Sequence, residues 1–155
     1  MIHIDIPGRA PLEISHVVLD YNGTIAVDGQ LVPGLPAQLE ALSRQVELHV
    51  LTADTYGTVR QQCAGLPVTV HTFPRAGAGA CKAEIVAGLQ GGVACLGNGF
   101  NDIPMFGIAD MAVAVLLEEG TYAGLLFHAD ILVRSIQDGL DLFLKPDHIR
   151  AALRS

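Results

Sequence analysis

The stretch Glu13-Ile14-Ser15-His16-Val17-Val18-Leu19-Asp20-Tyr21-Asn22-Gly23-Thr24 decides how the rest of the chain is read. Val17-Val18-Leu19 is continuously apolar, as in a strand covered on both faces, so Glu13 to Asp20 is predicted to be a buried strand. It stops at a carboxylate, and Asn22-Gly23 then turns the chain. In an open parallel sheet, ligands bind beyond the carboxyl ends of the strands, so Asp20 is placed where chemistry happens.

Working outward, the pattern repeats. Met1 to Ile6 alternates like a short strand, punctuated by Pro7-Gly8 and Pro11. Ile25 to Val32 reads as a small hairpin around Asp28-Gly29, a strong two-residue turn signal. A helix is predicted from Leu35 to Arg44, a strand from Val46 to Leu51, and a helix through Val59 and Ala64 capped by Asp54 or Thr55. Val68 to Thr72 is a short strand and Pro74 to Gly79 a glycine-rich loop. A helix from Ala80 to Leu89, ended by Gly91-Gly92, leads to a strand at Val93 to Leu96. A short helix (Asn101 to Ile108) and strands at Ala112 to Leu116, Gly124 to Leu126 and Ile131 to Val133 follow. Helices at Gln137 to Leu144 and Pro146 to Leu153 complete the chain, with Pro146 at a first helical position. Alternating strands and helices predict an α/β fold: one doubly wound, mainly parallel, Rossmann-like sheet in a single domain over residues 1–155.

Composition agrees. Of 155 residues, half are apolar and 16% charged, which describes a core-rich globular chain. Nine basic against sixteen acidic side chains give a net charge of −7, and no Lys/Arg cluster exists, which argues against nucleic acid and anionic membrane surfaces as partners. No apolar run reaches the roughly 20 residues of a bilayer span, and the N-terminus lacks the order of a signal peptide, so a cytoplasmic location is expected. Three scattered cysteines suit a reducing compartment better than a disulfide frame. The six histidines are dispersed, and neither His71 nor His128 has a partner at metal-ligand spacing, so no zinc site is expected.

Four polar clusters fall where apolar runs or loops end: Asp20 to Thr24, Leu51-Thr52-Ala53-Asp54, Lys82, and Gly97-Asn98-Gly99-Phe100-Asn101-Asp102. A carboxylate fixed at a strand end can attack phosphorus and form an acyl phosphate. A following glycine admits a phosphate or metal close to the backbone. The Thr52 hydroxyl and the Lys82 ammonium suit the non-bridging oxygens where charge accumulates. Asp102 and Asn98 offer the hard oxygens that Mg²⁺ prefers. Taken singly, each residue has a structural reading: a turn at Asn22-Gly23 or Asp28, a cap at Thr52, Asp54 or Asn101-Asp102, a solvated Lys82. Their occurrence together favours a site.

In that order, Asp20-x-Asn-Gly-Thr24, Thr52, Lys82 and Gly97-x-Gly-x-Asn-Asp102 resemble the four motifs of the haloacid dehalogenase-like (HAD) phosphohydrolases. The resemblance runs from about Val17 to Ala114 and is nearest to the uncapped, soluble P-type ATPase-like phosphatases. It implies a Mg²⁺-dependent phosphatase acting on a small phosphorylated substrate. Asp20 would be nucleophile and metal ligand, with the Asn22 carbonyl, Asn98 and Asp102 completing the metal set. Thr52 and Lys82 would bind the phosphoryl group, with Thr24, Ala53 and Asn101 as further substrate-binding positions and Asn101 orienting Lys82 or Asp20.

Two departures bear on rate. Many relatives have Asp where this chain has Asn22, and that Asp transfers the proton as general acid and base; an amide cannot. Asn98 also replaces an Asp, removing one formal charge from the metal set. A slow enzyme is expected, the alternative being a weakened phosphoryl- or Mg²⁺-binding module with a regulatory or interaction role. The intervals from Thr24 to Pro33 and from Thr52 to Lys82, where relatives insert a cap domain, are filled by the elements already assigned. A small hairpin flap and no cap are expected, with a homo-oligomer, the hairpin from Ile25 to Val32 near its interface, covering the opening. A receiver domain would need paired acids after the first strand and Lys-Pro after the last core strand, and neither is present.

Overall fold

The computed structural model describes residues 1–54 and 57–155. Strand β1 (Ile2–Ile4) pairs antiparallel with β2 (Leu12–Ile14), and β3 (His16–Asp20) follows. The hairpin is β4 (Ala26–Val27) and β5 (Gln30–Leu31). Then come α1 (Leu35–Ser43), β6 (Glu47–Thr52), α2 (Thr58–Gln62), β7 (Thr69–Thr72), α3 (Ala78–Ala87) and β8 (Val93–Gly97). A 3₁₀ turn at Phe100–Asp102 runs into α4 (Ile103–Ile108), followed by β9 (Met111–Val115), a 3₁₀ segment at Ala123–His128, β10 (Ile131–Val133), α5 (Ile136–Leu144) and α6 (Asp147–Leu153).

Six strands form one parallel sheet in the order β10-β9-β8-β3-β6-β7. The chain leaves β3 for β6 on one side and later returns to β8 on the other. The order therefore reverses at β3, which puts the switch-point crevice at the end that carries Asp20. Register Val17↔Leu48 and Val18↔His49 against β6, with Val18↔Cys95 against β8, sets which side chains share a face. Val17, Leu19, Val50 and Leu96 pack with Leu39, Leu42, Leu140 and Phe143 on the face of α1 and α5. Val18, Leu51, Cys95 and Ala112 pack with Val86, Met105 and Phe106 on the face of α3 and α4. With both faces covered, β3, β8 and β9 are buried throughout, and each fully buried Val or Leu contributes about 1.5–3 kcal/mol relative to exposure.

The doubly wound, mainly parallel α/β fold expected from the sequence is the one observed. Four local expectations need correction. Glu13 to Asp20 is two strands: at Ser15 the backbone N–H donates to Gly92 and the carbonyl accepts from Glu47, which hands the chain from the small sheet to the large one. Helix α3 starts at Ala78, after Gly77 in the left-handed region. Gly124 to Leu126 is 3₁₀ helix, with Leu125 donating its N–H to the Tyr122 carbonyl. Pro146 sits at the N-cap of α6, one residue before the first helical position. The hairpin turns on Asp28 (φ 51°) and Gly29 (φ 79°), the positive-φ pair that an Asp-Gly turn provides. Capping by Thr55 lies outside the described residues; Gly57 holds the N-cap position of α2 in place of Asp54, whose Oδ2 still accepts from the Val59 N–H in the first turn.

Candidate active site

Three adjacent parallel strands end together and carry three of the four clusters: Asp20 closes β3, Thr52 closes β6, and Gly97 closes β8. Lys82 comes from α3, which covers the same face. A cleft of about 270 Å³ opens there, lined by Asp20, Asn22, Thr52, Lys82, Asn98 and Asn101, among others. A larger depression of about 690 Å³ lies against the hairpin but contains none of this cluster.

The Lys82 ammonium is the hub. Although Lys82 is 3% exposed, all three of its donors are used: Asp20 Oδ1 at 2.8 Å, Asp102 Oδ1 at 2.7 Å and Asn101 Oδ1 at 2.8 Å. Burial works against its charge, but attraction to Asp20 and Asp102 outweighs that and raises its pKa. Asp20 is pushed up to about 7, first by burial and then by repulsion from Asp102; Lys82 and the Tyr21 N–H hold it down. Two buried carboxylates thus face one ammonium, and the excess negative charge suits a divalent cation. The oxygens at this edge of the cleft belong to a carboxylate and amides, the hard donors Mg²⁺ takes.

Asp102 and Thr24 are fully buried and do not line the cleft. Asp102 Oδ2 accepts from the Asn98 and Gly99 N–H groups at 3.0 and 2.9 Å, so it anchors the loop after β8 and holds Lys82 with its other oxygen. The Thr24 hydroxyl lies 3.3 Å from Asn98 Oδ1 and 3.5 Å from Asp20 Oδ2, bridging the two clusters from beneath. Asn98 Nδ2 donates to the Gly120 carbonyl. The turn after β3 leaves no room for a side chain at Gly23, since a Cβ there would overlap Asn98 Nδ2. Asn22 is exposed at the cleft wall, and Ala53 lines the opposite wall. Thr52 Oγ1 accepts from the Asp54 N–H at 3.1 Å. Sequence reasoning missed Phe73 and Ala78, which complete the cleft, and Arg75, which lines an adjoining cleft with Asn22, Ala53 and Asp54. A lone Arg in a glycine-rich loop was the only signal for the last.

The expectation of dispersed histidines is also corrected. His16, His49 and His71 form a ladder across β3, β6 and β7 at 3.1 Å per step, and His16 Nε2 donates to the Gln90 carbonyl at 2.9 Å. Burial, with repulsion from His71 and His16, lowers His49 to about 4.

Comparison with known proteins places the fold. The cobalt-bound deoxy-D-mannose-octulosonate 8-phosphate phosphatase of Haemophilus influenzae superposes with a TM-score of 0.71 at 12% identity, over 92% of this chain and 94% of that one. The corresponding phosphatase of Moraxella catarrhalis, solved with magnesium, phosphate and its sugar, gives 0.71 at 13% identity, covering 90% of each chain. A putative HAD family hydrolase from Streptomyces avermitilis gives 0.69 at 20% identity, covering 91% of this chain and 92% of that one. The fold is that of the HAD-family hydrolases. No family model matches the sequence. Two uncharacterised proteins of Methanocaldococcus jannaschii do match it. One is 34% identical over 62 residues, covering 40% of this chain and 67% of its own length. The other is 44% identical over 39 residues, covering 25% of this chain and 89% of its own. The chain belongs to one family with them.

Proposed function

We propose that the chain is a HAD-type, Mg²⁺-dependent phosphohydrolase in which Asp20 accepts the phosphoryl group of a small phosphate ester. The observation that carries this reading is the convergence of the Asp20 carboxylate, the Thr52 hydroxyl and the Lys82 ammonium on one cleft at the switch point of the sheet. Asp20 Oδ1 is held by Lys82, which leaves Oδ2 to attack phosphorus; the ester P–O bond breaks, the alcohol leaves with a proton taken from solvent water, and an aspartyl phosphate remains. The Thr52 hydroxyl would donate to a non-bridging oxygen, with the Ala53 main chain beside it, while Lys82, its three donors taken by Asp20, Asn101 and Asp102, supplies positive charge next to the phosphoryl group. Asn101 and Asp102 fix the ammonium in place. Asp20, the Asn22 carbonyl and Asn98 Oδ1 would hold Mg²⁺, with Asp102 behind them; when bound, the ion offsets the negative charge of phosphate and carboxylates. Water then cleaves the acyl phosphate, slowly, because the Asn22 amide exchanges no proton.

Among the described residues the two cap-insertion intervals hold only the hairpin and the α2–β7 segment, which supports an uncapped, P-type ATPase-like cytoplasmic phosphatase. A homo-oligomer with the hairpin from Ile25 to Val32 near its interface would cover the opening. The test is phosphate release from a broad panel of phosphate esters with Mg²⁺, run side by side with Asp20→Asn. Release that depends on Asp20 supports the reading; release equal in the two proteins, or none in either, ends it.

A second reading rests on Asn22 and Asn98: a module that binds Mg²⁺ and a phosphoryl group without useful turnover. A single slow turnover per chain would favour it, and sustained multiple turnover would exclude it.

A further inference from the structure

We propose that His16, His49 and Glu47 form a second metal site, for a transition-metal dication of the zinc class, at the N-terminal edge of the sheet. It is separate from the Mg²⁺ cleft. His16 lies four residues before Asp20 on β3, about 13 Å along a strand, and the proposal uses none of the residues assigned to phosphoryl transfer.

Pairing of β3 with β6 sets His16 opposite Glu47, and His49 follows two residues later on the same face. Three donor atoms converge. His16 Nδ1 lies 3.1 Å from His49 Nε2, and Glu47 Oε2 lies 3.6 Å from the first and 4.0 Å from the second. A point equidistant from the corners of that triangle is about 2.1 Å from each, the length of a Zn–N or Zn–O bond. Two histidines and a carboxylate, joined by one water, make the three-plus-one set that zinc accepts.

The surrounding hydrogen bonds prepare both imidazoles. His16 Nε2 meets the Gln90 carbonyl, which can only accept, so the proton is on Nε2 and a neutral ring presents the Nδ1 lone pair to the triangle. His49 Nδ1 meets His71 Nε2 at 3.1 Å, so His49 can donate outward to His71 and present Nε2 inward. A ligating histidine characteristically hands its other N–H to such a partner, which fixes tautomer and ring orientation. Two inward lone pairs 3.1 Å apart repel unless a proton or a cation lies between them. In the metal-free protein that is the His49 Nε2 proton, and a metal ion displaces it to the His71 side. His16 and His49 are nearly buried, whereas the Glu47 side chain is 75% exposed and supplies the path for entry.

The experiment uses the full-length chain, stripped with chelator and held in excess Mg²⁺ to occupy the phosphoryl cleft. Zn²⁺ is titrated against a chromophoric competitor, and Co²⁺ serves as a spectroscopic probe. One Zn²⁺ per chain is expected, with Co²⁺ giving the intense visible bands of a four-coordinate site with nitrogen ligands. His49→Gln should remove the bands, and Glu47→Gln should weaken Zn²⁺ binding at least about tenfold, in the range seen when metal-supporting groups are lost. Glu47 is exposed, so its variant keeps the test decisive should His49→Gln fail to fold. No Zn²⁺ binding above Mg²⁺ competition, or binding indifferent to Glu47→Gln, overturns the proposal.

Discussion

Replacing Lys82 by methionine takes the ammonium from between two buried carboxylates while keeping most of the side chain's volume. Asp102 is fully buried and Asp20 is 9% exposed, with Lys82 Nζ at 2.7 and 2.8 Å from them. Removing one partner of a buried pair costs about 3–5 kcal/mol, because the remaining charge stays uncompensated. At pH 8 in chelator, Lys82→Met is expected to lose about that much stability in guanidinium denaturation. The loss should shrink as the pH falls. Asp20 already has a folded pKa raised from 3.8 to about 7, and without Lys82 it rises further. The folded state then binds more protons than the unfolded state at every pH between the two pKa values. Stability therefore decreases as pH rises through that window, by up to about 1.4 kcal/mol per pH unit for one proton. At pH 5.5 the gap to the parent protein should be less than half its value at pH 8. Adding Asp20→Asn to Lys82→Met should recover more than half of the pH 8 loss. A Lys82→Met protein as stable as the parent at pH 8, or a loss equal at both pH values, refutes the reasoning.

Other consequences follow from the same geometry. Asn22→Asp puts a proton-exchanging group on the cleft wall and should raise steady-state phosphate release about 10²- to 10⁴-fold, read with the best ester of the panel. Gly92→Ala places a Cβ inside contact distance of the Glu13 carbonyl oxygen, where β2 hands over to β3. It should cost about 3 kcal/mol in denaturant, with little change in the cleft itself. His49 is held near 4 in the folded protein against 6.5 unfolded, so the unfolded state binds more protons between those values. Chelator-treated protein should lose stability as pH falls from 6.5 to 4, by no more than about 3 kcal/mol from this group; His49→Gln should flatten that limb.

Much of the fold was legible because burial on both faces writes β3, β8 and β9 as unbroken apolar runs. Each polar cluster stands where such a run or a loop stops. The hairpin was legible because Asp28 and Gly29 accept the positive φ that the turn needs. The break at Ser15 was not, since no proline or glycine marks it and only distant partners, Gly92 and Glu47, divide the strand. Three apolar residues at Gly124 to Leu126 carry no period, so helix and strand could not be separated there. The depth of Thr24 and Asp102 beneath the cleft depends on how two loops stack. The histidine ladder was invisible for a similar reason: its steps join residues 33 and 22 positions apart through sheet register.

Beryllofluoride, a tetrahedral stand-in for a phosphoryl group on a carboxylate, reports on the Asp20 cleft without requiring turnover. Fluorine NMR of the chain with Mg²⁺ should give one set of protein-bound signals, absent without the metal and absent in Asp20→Asn. Bound signals that persist in folded Asp20→Asn, or none in the folded parent protein, would contradict phosphoryl acceptance at the end of β3.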